Sequence, residues 1–119
     1  MHLPNAEKAH LAYSKLHDYI LNPNHSKGRH KAYAIDQATG IRREDAEFLR
    51  QQILERIRDA QITERQHTDF GIRYIVVIDI TGPHGTLTVQ TGWLVQEGCH
   101  VPRFTSLVPR RPRSEKRRG

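Results

Sequence analysis

Residues 71–95, GIRYIVVIDITGPHGTLTVQTGWLV, constrain this chain more than any other stretch. Two runs rich in β-branched residues, 71–80 and 86–95, flank TGPHG at 81–85, a cluster of turn-forming residues. The pattern predicts two antiparallel strands joined by a tight turn. In the second run Leu87, Val89, Thr91, Trp93 and Val95 share one side, with Thr88, Gln90 and Leu94 on the other. The first set is the more apolar, so it is expected to face the remainder of the fold. Tyr74 shares a face with Val76, Ile78 and Ile80, which sends Arg73 to the opposite face. Gly92 leaves room for the close approach of another backbone or a ligand.

The hairpin needs neighbours. QITERQHT (61–68) reads as a first, weakly patterned strand and RFTSLV (103–108) as a last one. Upstream the period changes to helical. SKLHDYIL (14–21) places Leu16, Tyr19 and Ile20 three and four apart, with Ser14 as N-cap, and Asn22-Pro23 ends it. RHKAYAIDQAT resumes a helix that Gly40 closes. REDAEFLRQQILERIRDA (43–60) carries Ala46, Leu49, Ile53 and Ile57 on one stripe, with Leu54 beside it. The expected fold is therefore α+β, N-terminal helices packed on one face of an antiparallel sheet of about four strands.

With 119 residues the chain suits one domain, placed at 1–108, followed by a basic tail, 109–119, expected to be disordered. The net charge of +6 needs partitioning: residues 110–119 hold six Lys/Arg and one Glu, leaving +1 for the other 109. Such a tail attracts polyanions without positioning a reaction. Cys99 is the single cysteine, so an internal disulfide and a cysteine-based zinc cluster are excluded. The longest apolar run, YIVVIDI, is too short to cross a bilayer. No apolar leader segment opens the sequence, and the cytoplasm is the expected compartment. His25 and His30 are five apart, a poor metal spacing, and no metal or cofactor is expected.

Local charge is concentrated in NPNHSKGRHKA (22–32), where two histidines, two lysines and an arginine share a turn-forming segment. Together with GIRY (71–74), TGPHG (81–85), TGWLV (91–95) and VPR (101–103), this segment resembles a bacterial domain family of unknown function. That family occurs at the C-termini of large polymorphic toxins and as small stand-alone toxin-like proteins. The resemblance runs from LPNAEKA (3–9) to TSLV (105–108). Ser26 stands where relatives usually have proline, Arg42 where they have a capping threonine, and His84 where asparagine is common. More remotely, the layout is similar to the barnase–EndoU–colicin–RelE group of metal-independent ribonucleases. The resemblance implies an endoribonuclease toxin held by a cognate antitoxin or immunity protein.

Metal-free RNA cleavage needs groups that take a proton from the 2′-OH and give one to the 5′-oxygen, with cations around the phosphorane. His25 is the candidate acid/base and Lys31, beginning a helix, the phosphate clamp. Thr91 is the candidate hydroxyl donor. Arg29, His30, Arg73 and Arg103 are candidate substrate contacts, and Trp93 is read both as core and as a base-stacking platform. The rival reading is a noncatalytic RNA-binding or protein-interaction module using the same loop and tail. A further reading is an enzyme acting on another phosphate-bearing substrate such as a nucleotide.

Overall fold

The two long runs pair along their whole length, from Gly71 opposite Gln96 to Gly82 opposite Gly85, with Pro83 and His84 at the turn. They are the middle of a sheet in a computed structural model that describes residues 1–110. In chain order a 3₁₀ turn (Ala6–Lys8) and a π-helical turn (Lys15–Ile20) precede helix α1 (Arg29–Thr39). A second 3₁₀ turn (Arg43–Asp45) runs directly into α2 (Ala46–Arg56). Strands β1 (Ile62–Thr68), β2 (Gly71–Gly82), β3 (Gly85–Gln96) and β4 (Arg103–Pro109) follow. The sheet is an antiparallel meander in the order β1-β2-β3-β4. The α+β architecture expected from the sequence is the architecture found.

The helices lie against one face. Helix α2 packs on β2, and α1 spans β3 and β4. The inward row of the sheet is the one that alternation assigns: Tyr74, Val76, Ile78, Ile80, Leu87, Val89, Thr91 and Trp93 are all buried. Leu49, Ile53 and Ile57 meet this row with no exposed surface. Each such side chain contributes on the order of 1.5–3 kcal/mol. An exposed ion pair such as Arg50 with Glu47 contributes about 0–1 kcal/mol. Burial of the stripe, rather than surface charge, holds α2 in place.

Local details depart from the sequence reading in three places. The segment after Ser14 winds as a π turn, and the Ser14 side chain caps nothing. The helix read over 43–60 is shorter, because the 3₁₀ turn takes its first residues and the α-helix ends at Arg56. Its start is capped by the Asp45 carboxylate, which accepts the Arg42 backbone N–H at 3.0 Å, so a threonine at 42 is not needed for that bond. Gly40 closes α1 at φ +79°, a conformation costly for a residue with a Cβ. The last strand reaches Pro109, and the Arg110 N–H donates to the Thr88 carbonyl at 2.9 Å. Residues 111–119 of the basic tail lie outside the described residues.

Thr91 is the one hydroxyl in the inward row of β3, and it joins two strands and a ring. It donates to the Val76 carbonyl at 2.7 Å and accepts the Trp93 indole N–H at 2.8 Å, with both residues fully buried. Thr91→Val keeps the shape and leaves the indole N–H without its acceptor. An unsatisfied buried donor costs about 1–3 kcal/mol. Urea unfolding is expected to show a loss of that size for Thr91→Val and a smaller one for Thr91→Ser.

Candidate functional site

The cationic segment folds as a hydrogen-bonded loop that delivers the chain into α1. Asn22 opens it: its side-chain oxygen accepts the Asn24 N–H at 3.0 Å, and its carbonyl accepts the His25 N–H at 3.2 Å. The His25 ring then turns back on the chain. Its Nδ1 lies 3.0 Å from the Lys27 nitrogen and 3.1 Å from the Gly28 nitrogen, accepting both N–H groups. The His25 carbonyl accepts the Arg29 N–H at 3.0 Å, so this residue caps the helix start through ring and backbone together. Gly28 is required for space rather than for φ: a Cβ there would overlap the Tyr19 carbonyl.

Tyr19, on the π turn, organises the cluster. The His25 ring meets it edge-on with centroids 4.7 Å apart, and the Lys31 ammonium stands 5.4 Å from the same ring centre. His25 and Lys31 are therefore neighbours, as the sequence reading requires. The His25 ring is also held by the backbone. With Nδ1 accepting two N–H groups, its proton is on Nε2, and a second proton on Nδ1 would face two donors. Held this way, the ring has Nδ1 committed to the backbone and Nε2 as its one free nitrogen.

On the opposite flank of α1, Arg29, His30 and Tyr33 line a groove of about 570 Å³ with Arg42 and Arg43 across from them. Leu21, Pro23 and Ala32 supply apolar lining. Arg42 is drawn to Asp36 at 3.3 Å, and the Arg43 Nε donates to the His17 carbonyl at 2.9 Å. Arg29 and His30 have no side-chain partner among the described residues, so the Arg29 guanidinium and the His30 ring face whatever enters.

The remaining candidates are elsewhere. Thr91 and Trp93 are both corrected: their polar atoms are spent on each other and on Val76 inside the core, so neither can donate to a phosphate nor stack on a base. Arg73 extends over the sheet face turned away from the helices. Its Nη2 lies 3.3 Å from the Ser106 hydroxyl and passes over Gly92, which is the close approach that glycine permits. Arg103 sits at the start of β4 beside His10 and lines a different groove from Arg29 and His30. Among the described residues no three His, Cys, Asp or Glu converge as metal ligands, and no helix is long and apolar enough to cross a membrane.

Tyr19 and the Asp18 cluster were missed from the sequence. The Tyr19 spacing reads as core, and nothing local announces that its ring receives a histidine and a lysine from six and twelve residues on. Asp18 accepts the His17 Nδ1–H at 2.8 Å and lies 3.5 Å from Arg43 Nη2. The His17 hydrogen bond first, and then the neighbouring cationic charge, hold its carboxyl below the usual carboxylate range.

A four-stranded meander backed by helices, with a cationic helix start on its flank, defines a small α+β domain with a basic surface patch. The chain belongs to the family described as domain of unknown function DUF6883, whose model matches residues 2–111. No curated protein and no solved structure matches it.

A carboxyl depressed in the folded state stabilises above the ordinary aspartate midpoint of about 3.9, and that contribution fades as pH falls through the folded midpoint. Carboxyl NMR titration is expected to place Asp18 below the ordinary aspartate midpoint, and His17→Ala to move it upward.

Proposed function

We propose that this domain acts on RNA as a toxin-type, metal-independent endoribonuclease restrained by a cognate antitoxin or immunity protein. The observation that carries the reading is the gathering of His25, Lys31, Arg29 and His30 around the first turn of α1, in a chain whose first 109 residues are nearly neutral. The resemblance of the sequence to toxin-associated domains supports the same reading. Cleavage proceeds by attack of the 2′-OH on its neighbouring phosphorus and leaves a 2′,3′-cyclic phosphate and a 5′-hydroxyl. Lys31 and the His25 Nε2–H hold phosphate oxygens, and Arg29 and His30 hold the adjoining strand in the neighbouring groove. DNA, lacking the 2′-OH, is bound and left intact.

A noncatalytic RNA-binding module is the second reading, and the fixed tautomer of His25 favours it. Incubation of purified protein with RNA in EDTA separates the two. Cleavage in EDTA, with growth arrest on expression, is expected; RNA that stays intact rules the nuclease out. His25→Asn retains an acceptor for the Lys27 and Gly28 N–H groups and removes the Nε2 donor. That variant and Lys31→Met are each expected to weaken cleavage about tenfold through KM, as lost phosphate contacts do.

A further inference from the structure

A second cationic groove lies at the end of the sheet, built from the two parts of the chain farthest apart. The His10 N–H donates to the Pro102 carbonyl at 2.8 Å, and the Phe104 N–H donates to the His10 carbonyl at 2.9 Å. This bridge adds residue 10 as a parallel neighbour of Arg103. The Asn5 side-chain amide donates to the His100 carbonyl at 2.9 Å and ties down the β3–β4 loop. The groove so formed measures about 930 Å³ and is lined by Asn5, Lys8, His10, Gln96, His100 and Arg103, with Cys99 and Val101 alongside. That volume accommodates a nucleotide unit.

Its lining is unusual in sign. Lys8 and Arg103 are cationic, His10 and His100 are imidazoles, and no carboxylate is among the described lining residues. All four side chains are exposed, and none of them makes an ion pair or a side-chain hydrogen bond among the described residues. The clamp uses backbone atoms of residues 10 and 100, which leaves both rings uncommitted. An acid-free groove with unpaired cations favours a phosphodiester, and two free imidazoles are what the proton transfers of RNA cleavage require and His25 does not supply.

We propose that this groove holds the scissile phosphodiester of a single RNA strand, with His10 and His100 as its proton-transfer pair and Lys8 and Arg103 on the phosphate. The assignment of the pair rests on the ribonuclease reading above. One imidazole takes the 2′-OH proton as the O2′–P bond forms. The other, as imidazolium, gives its proton to O5′ as the P–O5′ bond breaks, so protons and charge balance. The His25–Lys31 cluster then holds a phosphate farther along the strand. Helix α1 ends at the β2–β3 turn, where the His84 N–H meets the Thr39 carbonyl at 2.9 Å. Its first turn lies at the opposite end of the helix from that turn.

The test uses the full chain with a fluorescent 2′-O-methyl oligonucleotide, which binds and cannot be cut, and with unmodified RNA. Lys8→Ala/Arg103→Ala is expected to weaken oligonucleotide binding at least tenfold. It should also reduce the slope of log affinity on log salt by about 1.4, two phosphate contacts on a single strand. Wild-type affinity and slope in that variant overturn the groove as a binding site. His10→Asn/His100→Asn, which leaves the backbone clamp in place, is expected to bind the oligonucleotide within about threefold of wild type. Its cleavage should fall at least a hundredfold, the lower end of what general acid–base groups contribute. Cleavage at the wild-type rate in this variant overturns the proton-transfer pair and leaves the ribonuclease reading standing. If wild-type protein never cuts RNA, the ribonuclease reading fails and the pair with it, while the salt slope still decides whether RNA occupies the groove.

Discussion

Twelve consecutive cross-strand pairs between β2 and β3 are the constraint on which the other elements depend. They create a two-strand surface whose inward row is apolar from Tyr74 to Ile80 and from Leu87 to Trp93. Within that row the Thr91 hydroxyl bonds to the Val76 carbonyl and accepts the Trp93 indole N–H, so β3 buries both donors with partners. Against this surface the apolar stripes of the two helices find a partner. Neither helix exceeds eleven residues, a length marginal in isolation, and packing rather than propensity sustains them.

The cationic surfaces follow from how the rest of the chain is tied to that hairpin. Helix α1 is anchored at its C-terminal end by the β2–β3 turn, where Gly40 reverses the chain and His84 bonds to Thr39. Its first turn is thereby presented to solvent, with the preceding loop folded back through Asn22 and His25. Gly28 lets this loop lie against the π turn, and that contact brings Tyr19 beneath His25 and beside Lys31. A histidine used in this way is partly structural. Its Nδ1 does the work that a capping oxygen does elsewhere, and Nε2 is the nitrogen left free.

Much of the fold was legible. The strand starts at 71 and 103, a turn within 81–85, the buried stripe of α2 and the Gly40 terminus all follow from alternation, helical spacing and turn chemistry, which act between residues close in sequence. The core row of β3 was legible in the same way, and it explains why Thr91 and Trp93 failed as site residues. The alternation that places them inward also removes them from solvent. What could not be read was the π turn after Ser14, whose local composition suits an ordinary helical turn equally well.

Sequence by itself determined the α+β layout, the faces of the two central strands and the concentration of positive charge between residues 25 and 31. Those are consequences of periodicity and composition, and they survive any rearrangement of distant parts. Tertiary structure alone decided which charged groups meet. Lys31 comes to Tyr19 because α1 folds back on the π turn, and Lys8 and His10 come to His100 and Arg103 because backbone bonds close a gap of more than ninety residues. Pairings at that separation depend on how whole elements dock, and no local pattern in the chain encodes them.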